Sequence, residues 1–298
     1  MIDRFIAYIE SERRYSPLTV RNYKRDLEAF AKWFNAQLNL EQFDVRAVAT
    51  DDVRDWIMYR IDTQKISSAS MNRELSSLKS FFRYLRKIKV VEKDILKTIG
   101  SLKTPKELPL VVPKSRMQRV LSTAEEQSYS TQFKEQRNSL IISLFYGCGI
   151  RLAELNNIKV KDISDGSVRI LGKGDKQRIV PLLAELEERI ERYKECCHAC
   201  KIELNPDSYL IVNTKAEQLS RSTIQRVVLS QLDSAAVKGR KSPHVLRHTF
   251  ATQLLDSGAD MREIQELLGH ASLSSTQHYT HNSIGQLKEV YKRAHPHK

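Results

Sequence analysis

Three prolines, Pro105, Pro109 and Pro113, fall within ten residues near the first third of this chain. Proline lacks a backbone N–H and clashes with the preceding helical turn, so no helix runs through this stretch. It reads as an extended linker over residues 104–114. The 298 residues are enough for two domains of ordinary size. The linker therefore predicts one domain over residues 1–103 and a second over 115–298.

Before the linker the pattern is helical. Ser16 is placed to cap a helix whose first position is Pro17, where a missing N–H costs nothing. Val20, Tyr23, Leu27, Phe30 and Phe34 follow at spacings of three and four, one apolar stripe. Arg21, Lys24 and Arg25 fall largely off it. A second helix is expected over 50–61, with Val53, Trp56 and Ile57 among its apolar residues. A third is expected over 70–87, with Met71, Leu75, Leu78, Phe82 and Leu85 inward. Its outer face is expected to show Arg73, Ser76, Ser77, Lys79, Ser80 and Arg83. Such a face suits solvent, and it equally suits phosphate contacts from a helix in a major groove.

After the linker, helices are predicted over 115–123, 134–146, 183–200, 222–232 and 245–257. Gly258 ends the last of these, and Asp260 caps a further helix running to Leu268. Two β-rich runs, 167–171 and 177–181, flank Gly-Lys-Gly-Asp at 172–175, a hairpin signature. A short strand is expected over 209–212. The fold class is mainly α with a small β-sheet (α+β).

The net charge is +13. Basic residues outnumber acidic ones by 20 to 14 up to Lys103, and by 29 to 22 beyond it. An even excess suits two domains that both face a polyanion. No run of about 18 apolar residues occurs, so a membrane span is not expected. The N-terminus mixes acids into its apolar stretch and does not read as a signal peptide. Adjacent Cys196 and Cys197 suit a reduced, cytoplasmic chain. With His198 and Cys200 they lack a second ligand pair at zinc-finger spacing, so neither metal nor cofactor is expected.

The chemistry concentrates in a few positions. Arg151 follows Phe-Tyr-Gly-Cys-Gly-Ile, a small-residue turn that brings backbone close to a ligand. Lys173 lies in the hairpin turn. His244 and Arg247, at i and i+3, share one face at a helix start, where anions are favoured. His270 ends Leu-Leu-Gly-His, and Tyr279 lies within Gln-His-Tyr-Thr-His. A phosphodiester under attack gains negative charge on its non-bridging oxygens, which fixed guanidinium forks neutralise. A lysine whose pKa falls among other cations protonates a leaving oxygen, and a phenol with help at its proton is a nucleophile.

In order and spacing, Arg151, Lys173, His244-x-x-Arg247, His270 and Tyr279 resemble the active site of the tyrosine recombinases of the phage integrase family. Within that family the chain is most similar to the bacterial Xer site-specific recombinases. The resemblance covers about 140–280. The helical half resembles the family's SAM-like core-binding domain less specifically, and the ending at 288–297 is similar to Xer tails. Ile150 and Ala153 depart from the more usual leucine and serine without a change in size that matters.

The resemblance implies that Tyr279 attacks and Lys173 protonates the 5′ oxygen. It also implies that His244 accepts the phenol proton and His270 donates to a non-bridging oxygen. Glu154 then supports the site from behind. Tyr291 is a rival tyrosine with no histidine at the matching distance.

A C-shaped clamp on double-stranded DNA with an inverted-repeat site is implied. Strand exchange then runs through a 3′-phosphotyrosyl bond and a Holliday junction, in a homo- or hetero-tetramer with a second Xer-like recombinase. Residues 282–298 reach a neighbouring protomer, and a septal DNA translocase is a further implied partner. Arg21, Lys24, Arg25, Arg73, Lys79, Arg83, Lys176, Arg178 and Arg221 are the candidate DNA contacts. Resolution of chromosome or plasmid dimers is the expected role. The absence of an arm-binding domain before the first helix favours it over a mobile-element integrase or invertase. A type IB topoisomerase and an idle DNA-binding regulator are the more distant readings.

Overall fold

The computed structural model of the chain describes residues 1–104, 110–172 and 177–269. Residues 105–109 of the predicted linker, residues 173–176 of the predicted hairpin turn and everything from His270 onward lie outside them. The described residues are mainly helical with one three-stranded sheet. The chain divides into two compact units, Met1–Glu107 and Leu108–Lys298. Among the described residues no helix is long and apolar enough to cross a membrane.

Among its described residues the first unit holds four α-helices: α1 (Ile2–Ser11), α2 (Pro17–Leu38), α3 (Thr50–Met58) and α4 (Ser68–Lys87). The Ser16 hydroxyl accepts from the Thr19 N–H, and Pro17 occupies the first turn. Four of the five stripe residues, Val20, Leu27, Phe30 and Phe34, are buried. They join Phe5, Trp56, Phe81 and Leu85 in one core.

The predicted helix over 50–61 is instead α3 followed by a wider π-turn over Tyr59–Thr63. From that turn Arg60 stacks over Trp56 and donates to Glu74 through Nε at 2.9 Å and through Nη2.

The outer face predicted for α4 needs correction. Ser77 is buried, and its hydroxyl donates to Asp26 Oδ2 at 3.0 Å. Asp26 is itself buried on α2, and Arg73 Nη1 donates to both its oxygens at 3.1 Å. A buried carboxylate is tolerated only when paired and hydrogen-bonded, so this side of α4 faces α2.

The second unit is built around α6 (Phe133–Cys148), whose residues are buried on every side over its last three turns. Packed on it are α5 (Lys114–Ser128) and α8 (Ala184–Ala199), together with α9 (Arg221–Ser234) and α10 (Pro243–Asp256). Asp260 caps α11 (Met261–Leu268) by accepting from the Arg262 N–H, and Glu263 returns a bond to the Asp260 N–H.

The sheet runs β1 (Ile163–Ser164), β2 (Ser167–Leu171), β3 (Gln177–Pro181), all antiparallel. Leu171 pairs with Gln177, and Ser167 with Pro181 at the other end of the ladder. Neither β1 nor α7 (Leu152–Asn157) was anticipated. The strand expected over 209–212 reduces to two isolated bridges, Lys159 with Tyr209 and Val212 with Gln218. Cys196 and Cys197 are buried on α8 and Cys200 is exposed, all as free thiols.

Candidate active site

Gly149 ends α6 in the left-handed region, at φ +57°. A Cβ there would lie 2.5 Å from the Phe250 ring and 2.8 Å from Leu268. The glycine thus lets the chain pass tightly between α10 and α11 before turning into α7. Arg151 is the residue preceding α7, and Glu154 lies in that helix's first turn. The Glu154 carboxylate folds back and accepts from the Arg151 backbone N–H through Oε2 at 2.8 Å. The reciprocal hydroxyl cap is missing, and an arginine stands in its place.

Glu154 is buried at 5% exposure and is the hub of a guanidinium cluster. Its Oε1 accepts from Arg151 Nη1 at 2.8 Å and from Arg178 Nη1 at 2.9 Å. Its Oε2 accepts from Arg178 Nη2 at 2.8 Å and lies 3.9 Å from Arg247 Nη1.

Arg247, from the second turn of α10, donates to the Gly149 carbonyl at 2.6 Å and to the Leu268 carbonyl at 2.7 Å. The Leu267 carbonyl accepts from Arg178 Nε at 2.9 Å, and the Gly269 carbonyl from Arg151 Nη2 at 3.4 Å. Helix-end carbonyls lack intrahelical donors and carry the negative end of the dipole, so α11 ends in a place that welcomes cations.

The electrostatics follow from this count. Burial works against the Glu154 charge, but the Arg178 hydrogen bonds and charge outweigh it, with help from Arg151. The carboxyl is held down to about 2. Arg247 is pulled down to about 10, first by burial and then by the charge of Arg151. It stays cationic at neutral pH. Three guanidiniums against one carboxylate leave an excess of positive charge. Arg151 is the member open to solvent, its side chain 38% exposed against 9% for Arg247 and 6% for Arg178. An anion entering here would meet Arg151 first.

The structure thus brings Arg151, Glu154 and Arg247 together. His244 is on the first turn of α10 but exposed, and His248 is half-buried. Lys173, Lys176, His270 and Tyr279 lie outside the described residues.

Arg178 requires a correction. It was expected at a DNA backbone or in solvent, and it is instead buried with both Nη atoms and Nε engaged. One signal pointed there. Strand alternation puts Arg178 on the same side as buried Val180.

In the first unit, Arg73 pairs with Asp26 while its side chain stays 40% exposed, and Lys79 donates to the Ile99 carbonyl at 2.6 Å. Arg25 reaches Asp26 at 3.2 Å, and Lys24 lies 3.4 Å from Asp3. Arg21 and Arg83 are exposed, as is Arg221 at the start of α9.

Comparison with known proteins agrees with this architecture. Residues 111–285 match the model of the phage integrase family, and residues 2–89 match that of the phage integrase N-terminal SAM-like domain. The chain belongs to the phage integrase family and is a tyrosine recombinase, an enzyme that cleaves and rejoins DNA.

Its curated relatives include proteins named Tyrosine recombinase XerC. The one from Pelobacter propionicus is 34% identical over 99% of this chain and 95% of its own. The one from Staphylococcus aureus strain NCTC 8325 is 35% identical over 99% and 96%.

Two solved structures share the fold. XerH recombinase bound to palindromic difH substrate superposes with a TM-score of 0.70 at 23% identity, covering 97% of this chain and 83% of that one. A lambda integrase (75-356) dimer bound to a COC' core site superposes with a TM-score of 0.65 at 21% identity, covering 94% and 96%.

Proposed function

We propose that the chain recombines DNA at an inverted-repeat site and resolves chromosome or plasmid dimers. The observation that carries this reading is the guanidinium cluster around Glu154, an anion site held in place before any DNA arrives. Arg151 and Arg247 neutralise the non-bridging oxygens of the scissile phosphate. Tyr279 attacks the phosphorus, its proton passing to His244, and the phosphorus–5′ oxygen bond breaks as Lys173 supplies the proton. His270 donates to a non-bridging oxygen.

The products are a 3′-phosphotyrosyl bond and a free 5′-hydroxyl. The 5′-hydroxyl of a partner duplex then attacks that bond and releases Tyr279. Two such rounds make and resolve a Holliday junction, with the bond energy kept in the phosphotyrosine. Four protomers act together on two sites, either all alike or paired with a second recombinase of the same type. Residues 282–298 contact a neighbouring protomer, and a septal translocase is the expected activator. Relatives named XerC at full-length coverage support the chromosomal role.

The test is a suicide duplex built from the terminus-proximal repeat of the source genome and nicked beside the cleavage point. A denaturation-resistant adduct mapping by peptide mass to Tyr279 is expected. An adduct only on a mobile-element end would make the protein an integrase. Relaxation of any supercoiled plasmid without junction intermediates would make it a topoisomerase.

A further inference from the structure

One guanidinium of the cluster has all three of its nitrogens engaged by acceptors of the protein itself. Arg178 is buried on β3, forks both oxygens of Glu154, and donates its Nε to the Leu267 carbonyl. Arg247 and Arg151 donate to the next two carbonyls, Leu268 and Gly269. Three arginines from three elements thus take three consecutive acceptors at one helix end. Their spacing is set by the helix backbone.

We propose that Arg178 is a positioning residue for phosphate neutralisation, holding Arg151 through Glu154 and holding the end of α11 against which Arg247 is braced. This rests on the reading of the site as one that cleaves a phosphodiester. A lysine cannot replace it. A point charge on a flexible stem cannot fork a carboxylate and serve a third acceptor at once. Gly269 is the counterpart. It adopts φ +64°, and a Cβ there would lie 3.1 Å from Arg178 Cδ and Nη1, so a side chain at this position would strain the backbone and shift the guanidinium by about a few tenths of an ångström.

The test uses Arg178→Lys in the full chain, with single-turnover adduct formation on nicked suicide duplexes, DNA affinity and thermal melting measured together. Three scissile groups are compared: the phosphodiester, a methylphosphonate, and a bridging 5′ sulfur. The methylphosphonate lacks the charge the arginines neutralise. The sulfur leaves without needing a proton.

On the phosphodiester, a loss on the order of 100-fold is expected with little change in DNA affinity, the usual penalty for misplacing aligned groups. The deficit should shrink on the order of tenfold on the methylphosphonate and persist on the bridging sulfur.

Wild-type cleavage by Arg178→Lys would overturn the proposal, as would an equal deficit on all three substrates. A deficit relieved only by the bridging sulfur would move the role to the leaving-group proton and overturn it too. Should Arg178→Lys lose its cooperative melt, Gly269→Ala disturbs the same seat with the charge intact and is read on the same substrates. A wild-type chain with no adduct at Tyr279 would instead sink the recombinase reading, so the two failures are distinguishable.

Discussion

Replacing Glu154 by Gln tests the hub of the site. The substitution keeps the shape and removes the only carboxylate paired with Arg151, Arg178 and Arg247 among the described residues. It also turns an amide N–H toward guanidinium donors, leaving buried donors face to face.

The magnitude follows from the carboxyl's own titration, held at about 2 against an ordinary 4.5. That difference is worth roughly 3 kcal/mol of folding stability, at 1.36 kcal/mol per unit. Breaking a buried ion pair by removing one partner costs about 3–5 kcal/mol, which agrees. For a unit of this size, about 3 kcal/mol lowers the melting temperature by roughly 6–12 °C.

The sign is that of a depressed acid. The stabilisation is complete above the unfolded-state value near 4.5 and is lost as pH falls toward 2. The gap between wild type and Glu154→Gln should therefore be full at pH 7.5. It should narrow by roughly 1–1.5 kcal/mol at about pH 3.5. Urea unfolding followed by fluorescence and circular dichroism at both pH values measures it. A variant within about 1 kcal/mol of wild type at pH 7.5 would refute the reasoning. A gap that fails to narrow in acid would refute it as well.

Three further outcomes are expected. Tyr279→Phe should abolish the covalent adduct on a suicide duplex while leaving site binding in a gel-shift assay nearly intact; an adduct from this variant would show that another residue attacks. Gly149→Ala forces a left-handed alanine and drives its Cβ to 2.5 Å from Phe250, so urea titration of the second unit should show a loss of about 2–4 kcal/mol. Asp26→Asn removes the charge shared by Arg73, Arg25 and Ser77 under α2, and should cost about 1–3 kcal/mol in the unfolding transition of the first unit with no loss of near-ultraviolet signal from the second.

Much of this architecture was legible because it repeats. Val20, Leu27, Phe30 and Phe34 announce α2 through their spacing, and Ser16 with Pro17 fixes its start within a residue. The β2–β3 pair is visible from β-rich runs around glycines. Short elements fixed by single tertiary contacts are not visible in this way. Helix α7 has six residues and no hydroxyl cap, and Glu154 returning to the Arg151 N–H holds its start. Strand β1 exists only as two residues laid against β2.

The motif order placed Arg151, Glu154 and Arg247 in one site but gave no means of ranking the other basic residues. Arg178 proved to be buried and Arg73 to be paired with a buried carboxylate, and both pairings share a cause. Composition counts every arginine as available to a polyanion, whereas periodicity says which arginines are not. Asp26 sits three residues after Tyr23 and four before Phe30, on the apolar face of α2, and a carboxylate there demands a cation from the facing helix. Arg178 sits two residues before Val180, on the buried side of β3, and a guanidinium there demands a carboxylate. A charge at an inward position therefore predicts a partner inside the fold. Applied to this chain, that rule removes buried Arg178 from the surface, whereas Arg73, though paired with Asp26, keeps a side chain 40% exposed.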